Sequence, residues 1–374
     1  MAEFEFIHPG DLATRTGGYR YARQLLAALQ RRGLTARIHR LADSFPFPDS
    51  AALAHADRVL AGLADGSKVV VDGLAFGAMA EVAGRHAARL KLVALVHHPL
   101  ALETGLDPAV AARLAASERD ALAGARAVVV TSPATAVALR DYDVAPDRIT
   151  VVLPGTERPQ AAGPAATATA ATAEAASGAP VRLLCVASLT PRKGHLLLVE
   201  ALAACRLREP AAHWQLLCIG SAARDPACAA SIRSRITELG LDAQIVLAGE
   251  RDEAGVARAY EEADVFVLAS YHEGYGMVLA EALAGGLPVV STTAGAIPET
   301  VPAGAGLLVP PDDVAAFSRA LAQMIGQPGL RRSMSAAARA AAAVLPDWDD
   351  AARRFTTVLG ALDEAPDRAP EPTP

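Results

Sequence analysis

Residues 265–281 read VFVLASYHEGYGMVLAE and join an apolar run to a loop with two glycines and then to a helical stretch. The run Val265–Ala269 is short and rich in β-branched and aromatic side chains, which predicts a buried strand. Gly274 and Gly276 permit a tight turn and a close approach of the backbone to a ligand. A helix beginning near Met277 would present free N–H groups and a positive dipole end, which suits a diphosphate.

The same alternation of short apolar runs and alanine-rich helical stretches occupies both halves of the chain and predicts parallel sheets. The predicted strands of the first half are Glu3–His8, Leu34–Leu41, Lys68–Asp72, Leu90–His97, Ala127–Thr131 and Ile149–Leu153. Those of the second half are Val181–Ser188, Trp214–Ile219, Gln244–Leu247, Val265–Ala269 and Pro288–Ser291. The fold class is therefore α/β, with two doubly wound parallel-sheet domains in tandem.

Composition sets the domain boundaries. Residues 1–156 and 181–345 are predicted to form the two Rossmann-like domains. Between them, residues 157–180 hold almost no large apolar side chain, which predicts a linker or mobile loop. We expect residues 346–362 to form a closing helix, with the C-terminal helices packing back towards the first domain, and residues 363–374 to be disordered. Ligands bind beyond the carboxyl ends of such strands, so two facing domains would form a central cleft.

Charge and composition exclude several classes of protein. The 374 residues include 86 alanines, and the net charge is −6, which gives no electrostatic signature of nucleic-acid binding. No basic leader with an apolar core begins the chain, and no stretch has the length and hydropathy of a membrane span, so we expect a cytoplasmic protein. Five arginines near the first predicted helix fit a solvated face better than peripheral contact with the inner face of a membrane: Arg15, Arg20, Arg23, Arg31 and Arg32.

The four cysteines lie in the second half without CxxC spacing, and two of them fall within predicted strands. We interpret them as reduced core residues in preference to metal ligands or disulfide partners. Lysine is scarce, with three residues against 32 arginines, so a lysine in a motif carries extra weight.

Three motifs in order carry a resemblance to a known family. Residues 273–281, EGYGMVLAE, place two glutamates eight positions apart, and residues 285–289 (GGLPV) and 295–299 (GAIPE) follow. In this order and spacing they resemble the Glu-x7-Glu, G-x-P-V and G-x-x-P-E motifs of the retaining glycosyltransferases of family 4. The resemblance spans essentially the whole chain. It implies the GT-B fold, with the acceptor bound by the first domain and a nucleotide-sugar donor by the second.

By motif position, the resemblance implies that Glu273 contacts the donor sugar and that Glu281 contacts the ribose of its nucleotide. The backbone of the intervening turn would hold sugar hydroxyls and phosphate, through Gly274, Tyr275, Gly276, Met277, Val278 and Leu279.

A second loop, Ser188–Gly194, resembles the family's G-R-L-x-x-x-K-G element, whose two cations neutralise the leaving diphosphate. Lys193 matches this element, whereas Ser188 occupies the place of the usual arginine. Arg192 is adjacent and would supply the second charge from another backbone position. Two cations at a phosphate suit leaving-group stabilisation without a metal ion.

The first half carries the acceptor candidates. Gly17 and Gly18 resemble the family's Gly-Gly loop near the donor phosphate, although any tight strand-to-helix turn favours glycine. His97 matches a family histidine, within His-x-Pro, that approaches the donor sugar. Its neighbour His98 faces the opposite side of a strand, so one of the two would face the ligand. The candidate acceptor-binding residues are Tyr19, Arg20, His98 and Glu103.

These features predict a retaining glycosyltransferase that uses a UDP- or GDP-sugar, with His97, Lys193, Arg192 and Glu273 as catalytic candidates. No Asp-x-Asp cluster follows a strand, so we expect no metal and no cofactor besides the donor substrate. The alternatives are a sugar-nucleotide epimerase of the same fold and a non-catalytic sugar-nucleotide-binding protein, the latter suggested by Ser188. A dinucleotide dehydrogenase is excluded because neither half opens with G-x-G-x-x-G. The acceptor (small molecule, glycan or lipid-linked) and the oligomeric state stay open.

Overall fold

A computed structural model describes residues 3–157, 179–209 and 211–364. The chain divides into two compact units. Unit 1 comprises residues 1–155 together with 346–374, and unit 2 comprises residues 156–345. Most of the predicted linker, residues 158–178, and the predicted tail from residue 365 lie outside the described residues.

Each unit contains one six-stranded sheet whose strands all run parallel. The strands of unit 1 are β1 Glu3–Pro9, β2 Thr35–Leu41, β3 Lys68–Asp72, β4 Lys91–Val96, β5 Ala127–Val130 and β6 Ile149–Val151. The strands of unit 2 are β7 Val181–Val186, β8 Trp214–Ile219, β9 Ile245–Leu247, β10 Val265–Leu268, β11 Val289–Thr292 and β12 Gly306–Val309.

Helices connect these strands, as parallel pairing requires. In the first stretch of the chain they are α1 Gly17–Arg31, α2 Ser50–Ala61, α3 Gly73–Phe76, α4 Ala80–His86, α5 Pro108–Ala123 and α6 Pro133–Ala138. They continue as α7 His195–Arg208, α8 Pro226–Glu238, α9 Glu253–Glu262, α10 Met277–Ala284, α11 Ile297–Thr300, α12 Val314–Gly326, α13 Pro328–Ala342 and α14 Trp348–Glu364. In the described ranges, no helix combines the length and the hydropathy that crossing a membrane requires.

The central strands are buried on both faces, which explains their continuous apolar sequences. Val69, Val70 and Val71 of β3 have no exposed surface, and every residue from Val265 to Leu268 in β10 is equally buried. Both cores therefore depend on runs of β-branched and aliphatic residues rather than on alternating patterns.

The order of strands creates one switch point in each sheet, where neighbouring strands send the chain to opposite sides. In unit 1 the order is β2-β1-β3-β4-β5-β6, so the switch point lies between β1 and β3. In unit 2 the order is β12-β11-β10-β7-β8-β9, and the switch point lies between β7 and β10. The loops that leave β7 and β10 are the two that carry the Lys193 and Glu273 motifs.

Helix α14 completes unit 1. Its Trp348 ring packs edge-on against Tyr21 of α1, with ring centroids 5.7 Å apart. A Cβ placed on Gly155 would lie 2.3 Å from the Trp348 backbone nitrogen, so the chain passes too close for any side chain there. Among the described helices after β12, α14 alone belongs to unit 1, because α12 and α13 lie in unit 2. It also extends to Glu364, two residues into the segment predicted to be disordered.

The sheet of unit 2 contains a strand that the sequence pattern did not reveal. Strand β12 lies at the sheet edge beside β11, and each of its four residues is only partly buried. Several predicted strands are also shorter than expected, since β4 ends at Val96 and β7 ends at Val186. His97 and Ser188 consequently lie in loops that follow their strands.

Candidate active site

The loop after β10 buries a carboxylate that three side chains approach. Glu273 is 6% exposed, and its Oε1 lies 2.6 Å from Lys193 Nζ. Ser270 Oγ donates to the same Oε1 at 2.5 Å, and Arg192 Nη1 lies 3.9 Å from it. Lysine and arginine thus reach one carboxylate oxygen from the neighbouring loop, as the switch point allows.

The ionisation of this cluster follows from burial and charge. Burial is the largest single influence on Glu273 and opposes its ionisation, but the charges of Lys193 and Arg192 outweigh burial and lower its pKa. Burial also lowers the pKa of Lys193, while the nearby Glu273 carboxylate acts in the opposite direction. Glu273 is therefore an anion held by cations, which makes it a weak base and a weak nucleophile.

Glycine is required where the two loops meet. Gly194 adopts φ +68°, and a Cβ at this position would lie 1.9 Å from the Ala269 carbonyl oxygen. Backbone and side-chain bonds fix Arg192 beside the second loop: Tyr271 N–H donates to its carbonyl, and its own guanidinium donates to His272 O, both at 2.8 Å. These contacts fix the backbone on both sides of Lys193 and the side chain of Arg192, so both cations have defined positions beside Glu273.

Helix α10 begins at the end of the same loop. Gly276 precedes it with φ +83° and no side-chain cap, so the first turn keeps its N–H groups for other partners. Leu279, a predicted donor-binding residue, donates its N–H to Gly276 O at 2.8 Å, and its side chain is fully buried. The N–H groups of Met277 and Val278 are therefore the ones that this helix start can offer to an anion.

A third loop supports the backbone of the Glu273 turn. Ala296 N–H donates to Glu273 O at 2.9 Å, and Thr300 Oγ1 donates to Tyr275 O at 2.6 Å. A Cβ on Gly295 would lie 2.3 Å from the Glu273 carbonyl oxygen. The side chain of Tyr275 points into the protein, and burial raises the pKa of Tyr275 to about 12. Gly274 lies in the same turn, which the G-x-x-P-E segment holds in place.

Glu281 lies one turn into α10 and is partly exposed. Tyr260 of α9 donates from its hydroxyl to Glu281 Oε2 at 3.0 Å and also lies 3.2 Å from Val278 O. Tyr260 thus orients the Glu281 carboxylate, for which the resemblance implies a contact with the ribose, and Glu281 stays partly exposed.

In unit 1, the structure brings together the predicted histidine and the predicted glycine loop. The two predicted glycines begin helix α1, and a Cβ on Gly18 would lie 3.3 Å from the His97 ring, so the first turn of α1 packs directly on the imidazole. His97 Nε2 lies 3.8 Å from Asp72 Oδ2, and Tyr21 meets the ring edge-on at 5.3 Å between centroids. Asp72 is buried and also caps α3 through Leu74 N–H. The His97 ring is thus positioned from three sides and is partly exposed.

The candidate acceptor residues separate into two groups. His98 Nε2 lies 3.6 Å from Glu103 Oε2, so these two predicted residues contact each other. Tyr19 instead donates its hydroxyl to Pro9 O at 2.7 Å, which ties α1 to the end of β1. Gly17 and Arg20 lie in the first turn of α1, and Arg20 N–H donates to the Thr16 carbonyl.

The loop after His98 rests on a buried acid. Leu100 N–H donates to Glu118 Oε2 at 2.8 Å, and Glu118 is 1% exposed. Its other oxygen has no hydrogen-bond partner within the described residues. Burial raises the pKa of Glu118 to about 8, although the bond from Leu100 acts in the opposite direction. Glu118 therefore supports this loop mainly in its neutral form near pH 7.

Two family models match the chain, in an order that follows the two units. The model described as Glycosyltransferase Family 4 matches residues 15–158, and the model described as Glycosyl transferases group 1 matches residues 180–327. One match includes the His97 cluster of unit 1, and the other includes the Glu273 cluster of unit 2. The chain belongs to the family 4 glycosyltransferases.

Solved structures show that this family 4 chain has the GT-B fold. Sucrose-phosphate synthase from Thermosynechococcus elongatus aligns over 96% of this chain and 99% of its own, with a TM-score of 0.76 and 21% identity. Anabaena HepE in complex with UDP-glucose aligns over 96% and 99%, with a TM-score of 0.73 and 17% identity.

Among curated proteins, a D-inositol 3-phosphate glycosyltransferase from Corynebacterium efficiens is 32% identical over 188 residues. That alignment covers 49% of the family 4 chain and 44% of the relative. The family 4 chain spans about half the length of the curated relatives it matches first.

Several residues that shape the site of this family 4 chain escaped the sequence interpretation. Ser270 and Tyr260 act through hydroxyl groups, and no local pattern distinguishes such a hydroxyl from an ordinary surface one. Asp72 was detectable, because it ends a predicted strand next to the strand that precedes His97. Neighbouring parallel strands place their carboxyl ends side by side.

Proposed function

We propose that the protein is a retaining glycosyltransferase that moves a sugar from a nucleoside-diphosphate sugar to an acceptor hydroxyl. One observation carries this proposal: Lys193 and Arg192 converge on the buried Glu273 at the switch point of unit 2. Helix α10 begins four residues after Glu273 and adds N–H groups suited to an anion.

In the proposed reaction, the bond between the anomeric carbon and the diphosphate oxygen breaks, and a bond to the acceptor oxygen forms on the same face. The departing diphosphate gains negative charge, which Lys193, Arg192 and the amides of Met277 and Val278 stabilise. The acceptor proton passes to the departing phosphate oxygen. These residues supply fixed charges and dipoles that favour the transition state without a bound metal.

Glu273 has an orienting and electrostatic role in this proposal. Its carboxylate holds both cations in the free protein, and a diphosphate would compete for them. Because its pKa is lowered and Oε1 already has partners, we assign it no nucleophilic step. Detection by mass spectrometry of a covalent glycosyl-enzyme during turnover would contradict this assignment.

His97 is proposed to hydrogen-bond the donor sugar, with Asp72 and Gly18 setting the position of its ring. His98 and Glu103 are proposed to bind the acceptor as a contacting pair. Glu281 is proposed to accept bonds from the ribose, oriented by Tyr260. A uridine donor has fold-level support from the UDP-glucose complex of HepE, and a guanosine donor is the competing candidate.

The decisive experiment is a thermal-shift panel of UDP, GDP, ADP and their glucose, mannose and N-acetylglucosamine conjugates. We expect saturable stabilisation with one base class, which Lys193→Ala weakens at least tenfold in apparent affinity. Lys91→Ala is the matched control, because Lys91 is one of three lysines and pairs with Asp363 in unit 1.

The outcomes separate the candidate functions. Transfer to an added acceptor, with retained anomeric configuration by NMR, supports the proposal. An inverted product contradicts the retaining mechanism, and an epimerised nucleotide sugar supports the epimerase alternative. If a nucleotide sugar binds but is neither transferred nor slowly hydrolysed, the result supports a non-catalytic role. Equal stabilisation of wild type and Lys193→Ala would refute the assignment of the diphosphate site.

A further inference from the structure

Unit 2 contains a second cluster of chemically active side chains, which the transfer reaction does not use. Within the portion of the chain that the structure describes, Cys185, His195 and Cys218 form the one group of three potential metal ligands. Their donor atoms all lie within 4.8 Å of one another, and each residue is at most 2% exposed. Cys185 Sγ is 3.7 Å from His195 Nε2.

Three rigid elements fix this cluster. Cys185 of β7 and Cys218 of β8 are direct partners in the parallel register, so their side chains share one face of the sheet. His195 is the first residue of α7, directly after the constrained Gly194. The three donors therefore converge without dependence on a surface loop.

The 3.7 Å between Cys185 Sγ and His195 Nε2 is close to the separation of two ligands that share one ion. Zn²⁺ binds sulfur at about 2.3 Å and imidazole nitrogen at about 2.0 Å, so tetrahedral geometry places the two donors roughly 3.5 Å apart. Two thiolates and a neutral imidazole around a divalent ion sum to zero charge, which favours burial. Sulfur and imidazole donors select thiophilic ions over Mg²⁺, Ca²⁺ or Mn²⁺.

A polar atom in the same cluster lacks its expected partner. His195 Nδ1 is buried and, among the described residues, has no hydrogen-bond partner, so the ring's one polar contact is with the Cys185 sulfur. A metal ion bound at Nε2 would give this buried ring a stronger partner than the Cys185 sulfur at 3.7 Å, while the ring proton would stay on Nδ1. This observation is independent of the separations between donors.

We propose that Cys185, Cys218 and His195 form a binding site for one thiophilic divalent cation of the Zn²⁺ class. The site stabilises unit 2 by linking β7, β8 and the start of α7, and it takes no part in the transfer step. Binding of the ion would displace the thiol protons of both cysteines, because the thiolate is the form that binds metal.

The test uses the full-length reduced protein after removal of metal, titrated with Co²⁺ and followed by visible absorption. We expect one equivalent to produce a thiolate-to-metal charge-transfer band, and Zn²⁺ to displace the Co²⁺. Cys185→Ser, Cys218→Ser and His195→Gln should each weaken binding at least 100-fold. The matched controls are Cys205→Ser and Cys228→Ser, which alter the two cysteines outside the cluster and should retain the full band.

Several results would overturn the proposal. These are the absence of a band in the wild type, an unchanged band in Cys185→Ser, and loss of the band in the two controls. Two free thiols instead of four in the denatured, unreduced protein would indicate a disulfide in place of the metal site. If the serine variants do not fold, X-ray absorption of the Zn²⁺-loaded wild type decides: two sulfur ligands support the site, and none refutes it.

Discussion

Glu118→Gln should change the pH dependence of stability in unit 1. Glu118 is buried beneath the loop that follows His98, and its pKa rises from an ordinary 4.5 to about 8 in the folded protein. Between these values the folded state binds a proton that the unfolded state has released. The stability contributed by this proton is complete below pH 4.5 and is lost as pH rises through about 8. Glutamine has no proton to lose and can still accept the bond from Leu100 N–H.

The expected magnitude follows from the linkage of one proton. Each pH unit in this window changes the free energy of unfolding by up to about 1.4 kcal/mol. Between pH 5.5 and pH 8, the free energy of unfolding of Glu118→Gln should therefore rise by about 3 kcal/mol relative to that of the wild type. The new amide also places donors where Glu118 Oε1 has no partner among the described residues, which adds a cost that does not vary with pH.

The chain offers a local reporter for this measurement. It has two tryptophans, Trp348 in unit 1 and Trp214 in unit 2, so Trp214→Phe leaves fluorescence that reports on the unit containing Glu118. Urea unfolding curves of this background, with and without Glu118→Gln, should be compared at half-unit intervals of pH. Glu81→Gln, at an exposed position in the same unit, is the control and should show no pH-dependent difference.

A difference between Glu118→Gln and its background that stays constant from pH 5.5 to 8 would refute this reasoning. It would mean that Glu118 titrates near its ordinary pKa despite its burial. If the free energy of unfolding of Glu118→Gln instead fell relative to its background as pH rose, the pKa of Glu118 would be lowered, and a nearby cation would be stabilising the ionised form.

Three further predictions concern unit 2 and the reaction. Tyr260→Phe removes one hydrogen bond to Glu281, which is worth about 1 kcal/mol. The KM for the donor should therefore rise about fivefold, while kcat should change by less than twofold. A large fall in kcat alone would contradict this. Gly194→Ala should lower the Tm by more than 5 °C and abolish donor binding, because the positive φ of Gly194 and the nearby Ala269 carbonyl both exclude a Cβ. The control is Gly360→Ala in α14, where a Cβ would meet no atom within 4 Å, and this variant should not lower the Tm. Transfer should persist in EDTA, because the proposed mechanism places Lys193 and Arg192, and no metal ion, at the diphosphate. Loss of activity that Mn²⁺ restores would contradict this, and Mn²⁺ is not an ion that the cysteine cluster favours.

The fold was largely predictable because buried parallel strands leave a strong local pattern. Runs such as Val265–Leu268 are apolar throughout, and such runs identified all but one of the described strands. Strand β12 was missed because it lies at an edge, is partly exposed and contains a glycine. Exposure removes the continuous apolar signal on which the other assignments depended.

Motifs in the sequence named candidate residues for the site, but the contacts between those residues were not predictable. Lys193 and Glu273 were each identified from a motif, yet the 2.6 Å contact between them spans 80 positions and depends on β7 lying beside β10. The place of Ser270 in the same cluster depends on the path of the loop after β10, which sequence spacing does not specify. The pairing of His98 with Glu103 likewise depends on how the loop after β4 folds back.

The discontinuous construction of unit 1 has a consequence for synthesis of the chain. The ribosome must add all of residues 156–345 before it makes α14, whose Trp348 packs on Tyr21 and crosses Gly155. Until then, the nascent unit 1 exposes the apolar face of α1 that this helix covers. Unit 2 is contiguous and can finish first, although domains generally fold in the order of their synthesis. The unit whose synthesis begins first is therefore completed last, and a nascent chain arrested at residue 345 would contain all of unit 2 while unit 1 still lacked α14.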